Sequence, residues 1–315
     1  MAQFLDGLLE PPELLGVGLR QADGRLDAAA SLRAEDLSVL SSLAGVPLAG
    51  GAGVTVTVTG PLDALAVEAK AETRNLVANG RTLGRVTLSA TATGLPQAPT
   101  GTVQAGAVLE GQTLALGGAY ALSGDTLRLS DLTLTAGRNR IGGGVTVSLA
   151  TLLAEGKLEG DLPALDAFSA LAGVELGGQA SFAVTLAGRN GQQDATVSAK
   201  AGGLRVTGPG GPLLAARTLT LDASVRDALG TAAGKADLSL RDGSAAGTPL
   251  AAVTAGIDGS LAGAGFKLDV KGGGAEAPSL TLAGTAAQTN TQAGALTRIR
   301  LTALIANGFL CVAFG

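Results

Sequence analysis

The sequence predicts an all-β fold: an elongated, repetitive, solenoid-like β-sheet curled into a groove, with a few short helices at the repeat borders. Three observations lead to this prediction. Apolar and polar residues alternate with a period of two in many short segments, as in strands with one buried face. Glycine-rich stretches separate those segments. One stretch of the chain also occurs twice, which indicates a repeat architecture.

The repeated stretch reads LAGVPLAGGAGVTVTVTG at Leu43 to Gly60 and LAGVELGGQASFAVTLAG at Leu171 to Gly188. Ten of the 18 positions are identical without a gap, at an offset of 171 − 43 = 128 residues. An Asp-Leu pair precedes each copy, and each copy ends in alternating strand-like residues. The repeating unit is therefore predicted to be a short helical turn followed by β structure.

This repeat suggests a division of the chain into four parts. Residues 1–35 are expected to hold a short N-terminal helix, carried by Phe4, Leu5, Leu8 and Leu9, and the first strands of a truncated repeat. Residues 36–160 and 161–300 form two β-groove repeats in this interpretation, and residues 301–315 form a ragged tail. Neither end of the chain resembles a natural boundary, so we expect the sequence to be an interior slice of a longer protein.

Helices are predicted only at the repeat borders. The stretch from Asp161 to Gly173 is the best candidate, because Asp161 can cap the start and Gly173 can end the helix. The shorter stretch from Asp36 to Gly45 is its equivalent in the first copy. Gly117-Gly118, the run 142–144, Gly202-Gly203 and the run 208–211 are expected to lie between strands.

The strands carry aliphatic residues on one face and polar residues on the other. A strand alone does not fold, because three buried aliphatic side chains contribute roughly 1.5–3 kcal/mol each while ordering a residue costs about 1–2 kcal/mol. We therefore expect strands to be laid side by side into a sheet whose apolar faces meet. Thirteen residues are predicted to line that apolar face: Val54, Val56, Val58, Leu127, Leu129, Val145, Val147, Leu149, Phe182, Val184, Leu186, Leu219 and Leu221. Between Leu129 and Leu132 the apolar parity changes, which predicts a turn or bulge at Ser130-Asp131.

Composition argues against catalysis and against nucleic-acid binding. The chain has no histidine and one cysteine, Cys311, so the commonest general base and metal ligands are missing. Its 22 Lys and Arg residues are scattered, and the net charge is −4. Arg138-Asn139-Arg140 is interpreted as a polar turn, and paired carboxylates such as Glu155 and Glu159 as solvated. No catalytic residue, metal or cofactor is predicted.

From Leu127 to Gly188 the order of elements resembles the central region of the TamB-like translocation and assembly module proteins of Gram-negative bacteria. A strand pair is followed by an Asn-Arg turn at Asn139-Arg140, a glycine-started strand and a hairpin at Leu152 to Leu158. After this hairpin come an Asp-Leu pair at Asp161-Leu162, a Leu-Ala-Gly sequence at residues 171–173 and a new strand. The segment from Leu43 to Gly94 is similar to the last part, so the resemblance covers most of residues 30–285.

That resemblance implies a non-enzymatic segment of a periplasm-spanning β-taco with a hydrophobic groove. Its partners would be phospholipid acyl chains or unfolded outer-membrane β-strands, and an Omp85-type outer-membrane barrel reached through a C-terminal domain that this chain lacks. The location implied is the periplasm, with a tether to the inner membrane through a helix absent from this chain. The implied roles are phospholipid transport and the translocation and assembly of outer-membrane proteins.

Two alternatives belong to other classes. A β-solenoid adhesin or autotransporter passenger would have a sealed interior and a regular rung of about 20–25 residues. A polysaccharide-acting β-helix enzyme would need a set of carboxylates in one cleft, and the sequence shows no such set.

Overall fold

The computed structural model describes residues 13–22, 24–78, 80–109, 111–260, 262–274, 277, 279–291, 294–306 and 311–313. Contacts divide the chain into two compact units, one of Met1–Gly137 with Gly142–Ala150 and one of Arg138–Ile141 with Thr151–Gly315. In the described part both units consist of antiparallel β-structure with short helical connections. The prediction of an all-β fold is confirmed.

The first unit is an antiparallel meander in which each strand except β5 pairs with the next. The extra strand β5 is short and pairs with the end of β4, so that β4 also pairs with β6. Part of β10 belongs to this unit. The strands are β1 (Glu13–Ala22), β2 (Arg25–Ala34), β3 (Leu48–Pro61), β4 (Leu65–Ala78), β5 (Arg81–Gly84), β6 (Val86–Leu95), β7 (Thr100–Leu109), β8 (Gln112–Ser123), β9 (Thr126–Ala136) and β10 (Asn139–Ser148).

The second unit is also an antiparallel meander, and its central strands are longer. Each strand from β11 to β19 pairs with its neighbour in sequence, and β20 pairs with residues 302–304 of β19. The strands are β11 (Ala154–Leu162), β12 (Glu175–Arg189), β13 (Gln192–Gly208), β14 (Gly211–Arg226), β15 (Ala233–Ala245), β16 (Thr248–Ser260), β17 (Gly263–Gly272), β18 (Ser279–Thr291), β19 (Gly294–Ala306) and β20 (Cys311–Ala313).

The repeat found in the sequence is also a repeat in structure. Helix α1 (Ser41–Ala44) precedes β3, and helix α2 (Ser169–Ala172) precedes β12. The Ser41 hydroxyl accepts a hydrogen bond from the Leu48 amide, and the Ser169 hydroxyl accepts one from the Leu176 amide, each at 2.9 Å. Both serines and both leucines are related by the same offset, 169 − 41 = 176 − 48 = 128 residues.

A glycine bulge follows at the same place in each copy. Gly50 has φ +106° and Gly178 has φ +103°, and the pairing register shifts around both. A Cβ at residue 178 would lie 2.5 Å from the Gly203 carbonyl oxygen, and one at residue 50 would lie 2.6 Å from the Arg74 carbonyl oxygen. Glycine at these positions therefore lets the neighbouring strand approach where the bulge begins.

The predicted helix from Asp161 to Gly173 begins too early. Asp161 lies in β11, where it pairs with Ser181. A 3₁₀ turn (Leu165–Phe168) and α2 cover the rest, and the helix ends at Gly173 in a left-handed conformation, as predicted. Strand pairing outweighs the capping preference of Asp161. In the first copy a 3₁₀ turn (Ser38–Leu40) precedes α1, and the Asp36 carboxylate accepts a hydrogen bond from the Ser38 amide at 2.8 Å.

Other details of the prediction need correction. Three of the glycine runs lie inside strands β8, β10 and β13 rather than between strands, and only the run 208–211 spans a turn. Asn139 and Arg140 begin β10, and the turn is at Gly137 and Arg138. Residues 160 and 300, after which repeat borders are expected, lie within β11 and β19, and the four-part division itself remains a prediction. The predicted helix at residues 4–9 lies outside the described residues.

The predicted irregularity at Ser130-Asp131 is confirmed as a bulge. The pairing of β8 with β9 shifts register between Gly117 and Ala119, and Asp131 has φ +53°. The extra residue returns the leucines on both sides of the bulge to the same face of the sheet. Leu129 lies opposite Tyr120, and Leu134 lies opposite Leu116.

Buried side chains are few in the described part. Those with an apolar side chain lie mainly where a connection folds over the end of a strand, as Leu162 and Ala167 do beside α2. Two buried amides replace backbone pairing in the second unit. Asn139 exchanges two hydrogen bonds with the backbone of Ala164, at 2.7 and 2.9 Å, and Gln193 exchanges two with the backbone of Ala154, at 3.0 and 2.6 Å.

The bulge glycines make a testable prediction about stability. Gly178→Ala should lower the free energy of unfolding by about 1–3 kcal/mol, because the new Cβ meets two carbonyl oxygens at a strained φ. Gly210→Ala is the control, since a Cβ there has open space. Urea unfolding followed by circular dichroism measures both. Equal stability of the two variants would show that the bulge does not require glycine.

Candidate functional site

The candidate site is the aliphatic face of the sheet, which is clearest in the second unit. Across strands β11 to β18 the register places three rows of residues opposite one another on this face, and none has a polar side chain. The first row is Leu158, Val184, Val197, Ala223, Ala236, Ile257, Phe266 and Gly284. The second is Gly160, Phe182, Ala199, Leu221, Leu238, Ala255, Leu268 and Leu282. The third is Leu162, Ala180, Ala201, Leu219, Leu240, Val253, Val270 and Leu280.

The first unit has an equivalent face across β2 to β9. Its only polar side-chain atom in these rows is the Tyr120 hydroxyl, which donates a hydrogen bond to the Thr91 carbonyl oxygen at 3.1 Å. One row is Leu32, Val54, Ala71, Leu88, Ala105, Leu116 and Leu134. The next is Ala30, Val56, Ala69, Ala90, Val103 and Gly118, and the last is Ala28, Val58, Val67, Ala92, Gly101, Tyr120 and Leu129.

Most of the predicted apolar residues lie on these two faces. Val54, Val56, Val58 and Leu129 belong to the rows of the first unit, and Leu127 lies opposite Leu122 on the same face of β9. Phe182, Val184, Leu186, Leu219 and Leu221 share the face of the second unit. Val145 and Val147 alternate along β10 and are half-buried, whereas Leu149 lies beyond the end of β10 and is 45% exposed.

The expected curl that would bring aliphatic faces together is not found within either unit. Leu88 and Leu116 in the first unit are 45% and 49% exposed, and Ile257 in the second is 50% exposed. The other row members in the described part are mostly half-buried by their neighbours in the sheet. Each unit therefore presents its aliphatic rows as an uncovered layer, and contiguous apolar surface of this kind marks an interaction site.

Depressions also lie on the opposite, polar face. One of about 780 Å³ runs across the first unit between two rows of side chains. One row is Ser31, Thr55, Lys70, Ser89, Gln104, Gly117 and Thr133, and the other is Arg33, Gly53, Glu72, Thr87, Gly106, Ala115 and Thr135. A smaller depression of about 370 Å³ lies on the polar face of the second unit, between Asp222 and Ser224.

Sequence reasoning missed this polar depression. Each lining residue reads as an ordinary solvent-facing strand position, and only the strand register brings Arg33, Gly53 and Glu72 into one row. One signal was present in the sequence. The polar positions of β3 are Thr55, Thr57 and Thr59, and Gly53 interrupts that series by leaving the next polar position without a side chain.

Charged side chains on the polar face of the second unit form local pairs. Asp269 accepts a hydrogen bond from the Thr281 hydroxyl at 2.7 Å and lies 3.0 Å from the Lys267 ammonium. The hydrogen bond from Thr281, and then the one from Lys267, hold the pKa of the Asp269 carboxyl below its usual value. This pair is exposed, so it orders the surface of the sheet more than it stabilises the fold.

Comparisons with family models, with curated proteins and with solved structures find no match to this chain. In the part of the chain that the structure describes, no helix is long and apolar enough to cross a membrane. Within the same residues, no group of three Cys, Asp or Glu side chains is arranged to hold a metal ion.

The Asp269 interaction predicts a change in titration. Thr281→Val should raise the pKa of Asp269 toward the ordinary carboxyl value, because the first stabiliser of the carboxylate is lost. A pKa lowered in the folded state contributes stability above the unfolded pKa and loses it as the pH falls, so wild type and variant should converge in stability at low pH. NMR titration of the side-chain carboxyl measures the shift. Thr285→Val, opposite Gly265 on the same strand, is the control, and an unchanged pKa in Thr281→Val would refute the assignment.

Proposed function

We propose that this chain is a non-enzymatic segment of a TamB-like protein and that its aliphatic faces shield hydrophobic cargo from water. The observation that carries the proposal is the pair of continuous aliphatic faces. Each face consists of rows of six to eight residues that cross the strands, and Tyr120 is the one residue in these rows with a polar side-chain atom. The cargo that fits best is the acyl chain of a phospholipid. Nascent outer-membrane β-strands are the second cargo in this proposal.

The chemistry of the face favours acyl chains. It consists of Leu, Val, Ile, Ala and Gly with two phenylalanines and one tyrosine in the rows described above, so its relief is low and it offers a chain few specific contacts. Each methylene removed from water contributes about 0.8 kcal/mol. An acyl chain therefore gains affinity by lying along several rows, and no single side chain is essential.

The proposal also includes the closure of the sheet into a β-taco groove. A β-taco groove requires the sheet to close around cargo or against another sheet, so that the exposed aliphatic rows become an interior. In the TamB-like interpretation this occurs in the periplasm, with a tether to the inner membrane and an Omp85-type barrel as partner. The roles proposed are phospholipid transport and the translocation and assembly of outer-membrane proteins.

The strand pairing weighs against the adhesin alternative. A parallel β-helix stacks equivalent strands of successive rungs. In the described residues, the paired strands are antiparallel neighbours in sequence. A sealed β-solenoid interior is therefore not the architecture of either unit, and this correction removes the solenoid-like part of the predicted fold.

Charges placed on the aliphatic face test the proposal. Leu116→Asp and Ile257→Asp combined should weaken binding of a fluorescent polyene fatty acid by about tenfold or more, because a charge next to a methylene chain is poorly solvated. Both positions are about half exposed, so the folded sheet tolerates the change. Binding is measured by fluorescence titration of the whole chain, and circular dichroism verifies the fold.

A double variant on the polar face is the matched control. Ala115→Asp and Ala252→Asp place the same charges on strands β8 and β16, and residue 252 lies between Arg241 and Lys271. This variant should bind the fatty acid as the wild type does. Wild-type protein that binds neither the acyl probe nor an unfolded outer-membrane strand peptide, or unimpaired binding by the aliphatic-face variant, would overturn the proposal. Binding of an unfolded outer-membrane strand peptide without acyl binding would replace acyl chains with nascent strands as cargo.

A further inference from the structure

We propose that the polar face of the first unit contains a binding site for a phosphate-class anion between Arg33 and Arg74. Both arginines line the large depression on this face. Both also line a second, adjoining depression of about 230 Å³ beside the bulge at Gly50. The two depressions thus meet at this arginine pair. The site is separate from the aliphatic face and does not depend on the proposed function.

The strand register brings the two arginines together. Arg33 on β2 lies opposite Gly53 of β3, and Arg74 on β4 lies opposite Gly51 of the same strand. Two strand spacings and a two-residue offset separate their Cα atoms by about 12 Å. Both long side chains rise from the same face, so their guanidinium groups can reach the space above β3 from opposite sides.

Two glycines of β3, Gly51 and Gly53, lie between the arginines and place no side chain in that space. A Cβ at Gly51 would be in tight contact with the backbone, 3.1 Å from the Ala34 carbonyl oxygen. Gly53 has no such contact: its φ is ordinary, and a Cβ at this position would meet no atom within 4 Å. A side chain at residue 53 would instead fill the space between the arginines. The absence of a side chain at Gly53 therefore keeps the depression open, and backbone packing does not require glycine at this position.

The two arginines supply the positive charge that an anion requires. In the described part of the chain neither Arg33 nor Arg74 forms an ion pair. Two carboxylates also line the depressions, and a third acidic residue, Glu13 of β1, lies opposite Arg33 in the register. Glu72 lies 3.3 Å from the Arg85 guanidinium, which offsets its charge, whereas Glu35 opposes an anion. Two arginine forks from opposite sides match the oxygens of a tetrahedral phosphate, as either free phosphate or a lipid headgroup.

The anion site is tested most directly by adding a side chain at residue 53, between the two arginines, where the fold has room for it. Gly53→Thr extends the threonine series of β3 into open space, so the variant should fold as the wild type does. It should nevertheless weaken binding of inorganic phosphate by about tenfold, as should Arg33→Gln combined with Arg74→Gln. Glu35→Gln should strengthen binding. ³¹P NMR line broadening with the whole chain measures phosphate binding. Arg128→Gln combined with Arg226→Gln, which also removes two positive charges, is the charge-matched control for the double arginine variant.

Two arms distinguish the source of the phosphate. The first is inorganic phosphate alone, and the second is sedimentation with phosphatidylcholine vesicles that contain or lack phosphatidylglycerol. Binding in either arm that is lost in Gly53→Thr and in the double arginine variant supports the site and identifies its source. No binding in both arms, or binding equal in wild type and Gly53→Thr, overturns the proposal.

Discussion

The antiparallel hydrogen-bond ladder between consecutive strands is the interaction on which the rest of the structure depends. In each unit most aliphatic rows are half-buried at best, so no thick core secures the strands. What holds a strand in register is its two neighbours, through backbone pairing and through side chains that meet along a row. Register in turn decides the surface, because a slip by one residue would move every valine of β3 to the polar face.

The junctions before β3 and β12 show how this register is fixed at the start of a repeat. A short helical segment, a serine hydroxyl bound to a strand amide and a bulge glycine recur at the same offset. The serine bond fixes where the strand begins, and the bulge moves the following residues into phase with the next strand. The serine and glycine positions are identical in the two copies because each performs a backbone task, whereas the strands beyond them share fewer residues and keep mainly their alternation of apolar and polar residues.

Much of the fold could be predicted from the sequence, since alternation is a local property that strand pairing preserves. The strands at Val54 to Val58 and Phe182 to Leu186, the bulge at Asp131 and the end of α2 at Gly173 all follow from local patterns. Predictions failed where two local preferences competed. Asp161 is a good helix cap but forms a strand pair, and glycines 117 and 118 favour turns but lie within β8. Such competition is decided by neighbours distant in sequence.

The two candidate sites also differ in how far the sequence predicts them. The aliphatic face was predictable because alternation within each strand determines which residues share it. The arginine pair was not, since Arg33 and Arg74 are 74 − 33 = 41 residues apart and meet only through their separate pairings with β3. Curvature is also a property of many strands together, which the pattern within one strand does not encode. In each unit the aliphatic rows lie on one face of a single layer of strands and the polar rows on the other, so one layer presents two surfaces of different chemistry.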